Sequence, residues 1–160
     1  MKTLLSGLVL GCVLLALGTP AVSQNAPPMT EQAKKVEALV VKAAALIDKN
    51  GKAAFAAFRK KSSEWFHDDT YLFVYDMKAN VLLNPAFPQR EGSNVTGQKD
   101  AKGKLLHHEI IQVAEIKGAG WVDYMFPKPG QTEPSQKWAY VKKVTIDGVP
   151  GLVASGFYPE

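Results

Sequence analysis

The residues best suited to chemistry in this chain bracket a proline-rich loop. The stretch GWVDYMFPKPGQTEPSQKWAYVKKV, residues 120–144, carries Trp121, Tyr124, Trp138 and Tyr140 with Lys137 among them. Tyrosine and tryptophan join a large apolar body to a polar tip that seeks a partner when buried. Several of them on one surface therefore suit a small-molecule site, although the same side chains also build ordinary cores. Lys137 reads in two ways, as a solvated loop lysine or as the counter-charge for a carboxylate ligand. Upstream, TYLFVYD alternates Tyr71, Phe73 and Tyr75 with Leu72 and Val74, so in a strand the three aromatics share one face.

Other constellations exclude whole classes of reaction. His107 and His108 are adjacent on a helical segment and point about 100° apart, which is not the i, i+4 pair of a zinc helix. His67 with Asp68 and Asp69 lacks a second ligand cluster and suits a polar turn. Asp123 and Glu109 have no sequence-fixed separation. There is no glycine-rich phosphate loop, haem-attachment motif or serine elbow. No catalytic residue, metal site or cofactor is assigned.

The elements that must position these residues follow from hydrophobic period. Thr30 is the expected N-cap of a helix in which Val36, Leu39, Val40, Ala43, Leu46 and Ile47 recur at three- and four-residue steps, closed by Gly51. A shorter helix carries Phe55 and Phe58. The period then becomes alternating. TYLFVYD, apolar on both faces, predicts a central strand, and VLLN returns beside it. A polar loop over residues 85–104 precedes a helix with Leu106, Ile110, Val113 and Ala114 on one side, stopped by Gly118. GWVDYMF, KWAYVKKVTI and GLVASGFY supply three more strands, the last two joined at the tight turn DGVPG. Short turns require antiparallel neighbours, so the class is α+β. Alternation places Leu72, Val74, Ala139 and Val141 on the face toward the first helix. It places Tyr71, Phe73, Tyr75, Tyr124, Trp138 and Tyr140 on the other.

Residues 1–23 read as a signal peptide: Lys2, an apolar run over 4–17, and small Ala21 and Ser23 placed for cleavage near Ser23. The run is shorter than the roughly 20 residues of a spanning helix, so no membrane span is expected in the mature chain. Residues 24–29 form a leader, and residues 30–160 form one domain. Cys12, the only cysteine among 160 residues, falls inside the apolar run. The mature chain then has neither disulfide nor thiolate chemistry. A net charge of +4 with lysines scattered among acids does not indicate nucleic-acid binding.

Taken with that order of elements, GKAAFAAF, YLFVYDMKANVLLNP, GQKDAKGKLLHHEII, GWVDYMFPKPG, KWAYVKK and ASGFY resemble the single Cache domain over residues 30–158. This is an extracytoplasmic sensor module of PAS-like shape. The resemblance implies a long N-terminal helix packed on a five-stranded antiparallel sheet, with a small-ligand pocket on the other face. It implies a periplasmic or secreted sensor of a small organic acid, amine or similar solute, acting through a separate membrane receptor or kinase rather than as an enzyme. Tyr71, Phe73, Tyr75, Tyr124, Lys137, Trp138 and Tyr140 are the expected ligand contacts. Two alternatives stand beside this reading. One is a small periplasmic enzyme using Tyr124, Lys137 or His107 as acid or base. The other is an interaction module that forms a homodimer through its first helix.

Overall fold

The computed structural model describes Pro27 and residues 29–159. The expected signal peptide and cleavage point lie outside the described residues. Helix α1, Glu31–Asn50, starts where Thr30 Oγ1 accepts a hydrogen bond from the Ala33 N–H at 3.1 Å. Its buried stripe is Ala33, Val36, Val40, Ala43, Ala44 and Ile47, whereas Leu39 and Leu46 are half-buried at its margins. The small residues at 33, 43 and 44 let the helix approach β5 and β6 closely. Gly51 closes the helix with φ 56°, its N–H donating to the Ile47 carbonyl. A short helix α2, Phe55–Phe58, follows.

Six antiparallel strands form the sheet: β1 Phe66–His67, β2 Thr70–Asp76, β3 Val81–Leu83, β4 Ala119–Pro127, β5 Pro134–Ile146 and β6 Val149–Phe157. The order is β1-β2-β6-β5-β4, and β3 also pairs with β2. The five expected strands are all present, and β1 is an added two-residue piece. Asp147 and Gly148 take φ 50° and 83° between β5 and β6, the mirror-image turn that matches strand twist in a two-residue hairpin.

The sheet divides two cores. Toward α1 lie Leu72, Val74, Val144, Ile146 and Val153 with Phe55, Phe58 and Trp65. On the opposite face Tyr71, Phe73, Tyr75, Val122 and Tyr124 meet Leu106, Ile110 and Ala114. The last three belong to helix α3, Leu106–Gln112, and to the π-helical turn Val113–Lys117 that continues it to Gly118. The loop between β3 and α3 covers this face and is tied to the free edge of β4. The Asp100 carboxylate accepts from the Met125 N–H at 2.9 Å, and Lys104 Nζ donates to the Asp123 carbonyl at 2.6 Å. These bonds satisfy backbone groups that an open sheet edge would leave unpaired.

The cap makes a direct prediction. Thr30→Ala leaves the Ala33 N–H without its side-chain acceptor and should destabilise the protein by about 1 kcal/mol in chemical denaturation. Thr30→Asp should retain most of that stability, and equal loss in both variants would count against the cap.

Candidate functional site

The site is organised around Lys137, which β5 places opposite Tyr124 on β4. Its side chain points into the face of the sheet away from α1 and is only 1% exposed. The ammonium Nζ donates to the Tyr71 hydroxyl at 2.8 Å. Aromatic rings enclose it, with centroids at 4.2 Å for Tyr71, 5.3 Å for Tyr158, and 5.5 Å for Phe73 and Phe126. Among the described residues no carboxylate lies within ion-pair distance of it. Asp69 acts on it only from farther away and pairs instead with Lys128 at 3.5 Å. Burial therefore dominates and pushes the lysine down from 10.5 to about 7, against a smaller opposing pull from Asp69.

Room for this side chain comes from Gly156, the register partner of Ala139. A Cβ there would lie 2.8 Å from Lys137 Cε and would meet the Trp138 carbonyl oxygen. Phe87, from the covering loop, stacks edge-on against both Tyr71 and Phe126, at 5.8 and 5.3 Å between centroids. It completes a wall of Tyr71, Phe87, Phe126 and Tyr124. Burial raises the hydroxyl pKa of Tyr71, Tyr75 and Tyr124, so all three stay protonated as hydrogen-bond donors.

A second polar group stands on the far side of the wall. Arg90, at the end of the turn Pro88–Arg90, donates through Nη2 to Gln98 Oε1 at 2.9 Å and to His107 Nε2 at 3.2 Å. Its guanidinium carbon is 5.5 Å from the Phe126 centroid. His107 packs against Tyr75 and is pushed down to about 4, chiefly by burial and then by the Arg90 charge. It is a neutral imidazole at physiological pH. A cavity of about 180 Å3 is lined by Arg90, His107 and Phe126 with Asp100 and Met125.

Five of the seven expected contacts, Tyr71, Phe73, Tyr75, Tyr124 and Lys137, share this face. Trp138 and Tyr140 do not. They lie under α1 with Ala33, Val36, Trp121 and Phe157, while Ala139 and Val141 face the aromatic side. The expected facing of β5 is therefore corrected by one residue. Both of its faces are apolar, so alternation alone carries no sign, and Lys137 joins the site because it stands two residues from Ala139. Phe87, Phe126, Arg90 and His107 were not among the expected contacts. For His107 a signal existed, because it shares the helical face of Ile110 and Ala114 at three- and seven-residue steps.

A long helix on one side of an antiparallel sheet, with a polar group caged in aromatics on the other, defines a PAS-like sensory α+β domain. The chain belongs to the single Cache domain 2 family, whose sequence model matches residues 29–148. It is 30% identical over 94 residues to the methyl-accepting chemotaxis protein McpP of Pseudomonas putida, covering 59% of this chain and 17% of that protein. It is 31% identical over 90 residues to the sensor histidine kinase MctS of Rhizobium johnstonii, covering 56% and 19%. The aligned stretch thus spans less than a fifth of either relative. Among solved structures, a periplasmic sensor domain of a chemotaxis protein superposes with a TM-score of 0.65 at 32% identity, over 81% of this chain and 95% of that one. A Cache chemosensory domain solved for carboxylic acid recognition superposes with a TM-score of 0.69 at 24% identity, over 80% and 93%. Domains of this family are extracytoplasmic sensors, and no helix among the described residues is long and apolar enough to cross a membrane.

Proposed function

We propose that this domain binds a small carboxylate outside the cytoplasm and reports it through a signalling partner, a membrane receptor or kinase, without transforming the ligand. The observation that carries the reading is the buried ammonium of Lys137, which has a phenol beside it and, among the described residues, no carboxylate paired with it. Burying a cation without a counter-ion costs several kcal/mol, and a ligand carboxylate offsets that cost by supplying the missing charge. The donors are in place. Lys137 uses one of its three N–H groups on Tyr71 and keeps two to give, while the Tyr71 hydroxyl is itself held by a hydrogen bond with Tyr158. Phe73, Phe87 and Phe126 can cover a short carbon chain. An amine ligand would set a second cation against Lys137, so the acid is the favoured member of the solute classes considered.

The structural neighbour solved for carboxylic acid recognition agrees with this ligand class, although its likeness supports the fold rather than the site. The binder reading over the enzyme reading is supported by relatives that are a chemotaxis protein and a sensor kinase. Export by the 1–23 segment and self-association through α1, whose outer face exposes Val41, belong to the same proposal.

A thermal-shift series separates the classes. Acetate, propionate or butyrate should raise the melting temperature, because ligand at a hundredfold its Kd stabilises by about 2.7 kcal/mol. Ethylamine and propylamine at the same concentration and ionic strength should not. A rise with the amines and none with the acids would sink the carboxylate reading.

A further inference from the structure

Strand β5 outruns β4. The last register pair of the two strands is Ala119 with Lys142, and the Lys143 N–H still donates to the Gly118 carbonyl at 2.7 Å. Beyond that point β5 continues to Ile146 with β6 as its strand partner, and Thr145 gives its N–H to the Asp48 carboxylate of α1 at 2.7 Å. The step leaves an open groove of about 420 Å3 between the Gly118 turn and the β5–β6 hairpin. Lys117, Lys142 and Lys143 line it, and Asp48 is the one carboxylate in its lining. Among the described residues none of the three lysines pairs with a carboxylate. Lys142 and Lys143 leave β5 on opposite faces, so the cations straddle the end of the sheet. Two of the five large apolar side chains exposed among the described residues stand beside this lining. Ile116, 75% exposed, precedes Lys117, and Val149, 59% exposed, precedes Pro150. The groove is remote from the aromatic cage, because Lys143 is six residues, about 20 Å of strand, from Lys137.

We infer that this end of the domain docks on a bilayer presenting anionic phospholipid headgroups, with the three lysines meeting phosphates and Ile116 and Val149 entering the headgroup layer. The inference goes beyond the solute reading and does not depend on it. Lysine ammoniums on flexible stems suit phosphates spread over a fluid surface, which offers no fixed bidentate geometry. A protein partner fits less well, because protein interfaces are anchored by a well-packed aromatic or arginine centre, and this surface has two separate aliphatics instead. Near an anionic leaflet each lysine favours the bound state by about fivefold. Asp48 opposes with one charge against three, and its carboxylate is already engaged by the Thr145 N–H. Attachment of this kind is reversible and sensitive to salt.

Sedimentation of the purified protein with vesicles tests this. Vesicles of equal parts phosphatidylglycerol and phosphatidylcholine should carry the protein down at about 50 mM salt and release it at about 500 mM, where the screening length falls to a few ångströms. Vesicles of phosphatidylcholine alone should carry down none. Replacing Lys142→Glu together with Lys143→Glu should lower the partition coefficient by about twentyfold or more, two lysines at about fivefold each. Lys34→Glu with Lys35→Glu makes the same change in net charge at the start of α1, where both side chains are exposed, and should leave partition within about twofold. Ile116→Ser with Val149→Ser should lower it by about threefold or more without altering the salt dependence, as removal of inserted apolar surface does. Thermal melts verify that the variants fold. Should the β5 pair fail to fold, Lys117→Glu on the π-helical turn gives the same reading at about fivefold. No binding to the anionic vesicles at low salt would overturn the surface. Equal weakening by the two lysine pairs would reduce the effect to net charge and overturn it too, as would a serine variant that binds like the parent.

Discussion

Lys137→Met is expected to lower affinity for short carboxylates by about tenfold to a hundredfold while raising the melting temperature of the ligand-free protein near pH 7. The two effects have opposite signs because the same ammonium that meets a ligand is unpaired without one. Methionine fills a similar volume with a flexible apolar chain and removes the cost of burying charge. The pH dependence identifies the group. Lys137 releases its proton at about 7 in the folded protein and near 10.5 when unfolded. Between those values the unfolded chain holds more protons, so stability rises with pH. From pH 7 to 9.5 the gain is about 3 kcal/mol for one such lysine. His107, pushed down to about 4, stays neutral throughout this window. The tyrosines raised by burial, Tyr71, Tyr75, Tyr124, Tyr140 and Tyr158, oppose the trend only near and above the ordinary tyrosine pKa of about 10. The variant should lack this slope. Binding of a carboxylate at pH 8 should also draw in up to one proton, seen as a calorimetric heat that depends on the buffer. A variant with the parent's slope and no higher melting temperature would show that Lys137 is not the buried unpaired cation described above.

How far the sequence revealed this arrangement depended on whether a signal was local. The N-cap at Thr30, the stop at Gly51 and the aromatic face of β2 all follow from types at fixed short spacing, and all appear where expected. The facing of β5 did not follow, because Trp138 and Tyr140 on one side and Ala139 and Val141 on the other are all apolar. Side-chain type alone groups these large aromatics with Tyr71. Packing sends them under α1 instead, where Ala33 and Val36 leave space for rings. The small residues of β5 face inward because Lys137 and the rings of β2 fill that side. Arg90 was less accessible still. It sits in a loop without period, and it meets His107 and Phe126 only after the chain has folded from three separate elements. His107 had the helical spacing of a buried residue, but its pairing with a distant arginine is a tertiary fact.

The slot that Gly156 opens is another long-range feature, and it supports the second large prediction. Gly156 is absent from the positive-φ glycines, so its backbone suits any residue. Alanine there would ordinarily stabilise by about 0.4 to 1 kcal/mol through the unfolded chain. The expected result is the reverse. An added Cβ meets the Trp138 carbonyl oxygen on the paired strand, stands 2.8 Å from Lys137 Cε and 3.2 Å from Ala139 Cα. A lysine tail can swing away, but a carbonyl in the β5 to β6 ladder cannot move without disturbing the pairing of Ala139 with Gly156. Gly156→Ala should therefore cost about 1 to 3 kcal/mol and weaken carboxylate binding, as overpacking does in a filled interior. The two contributions can be separated by repeating the substitution in Lys137→Ala. There the side-chain conflict is gone and the carbonyl conflict remains, so the cost should shrink without disappearing. If Gly156→Ala is neutral within about 0.5 kcal/mol and affinity is unchanged, the glycine is not what makes room for the lysine.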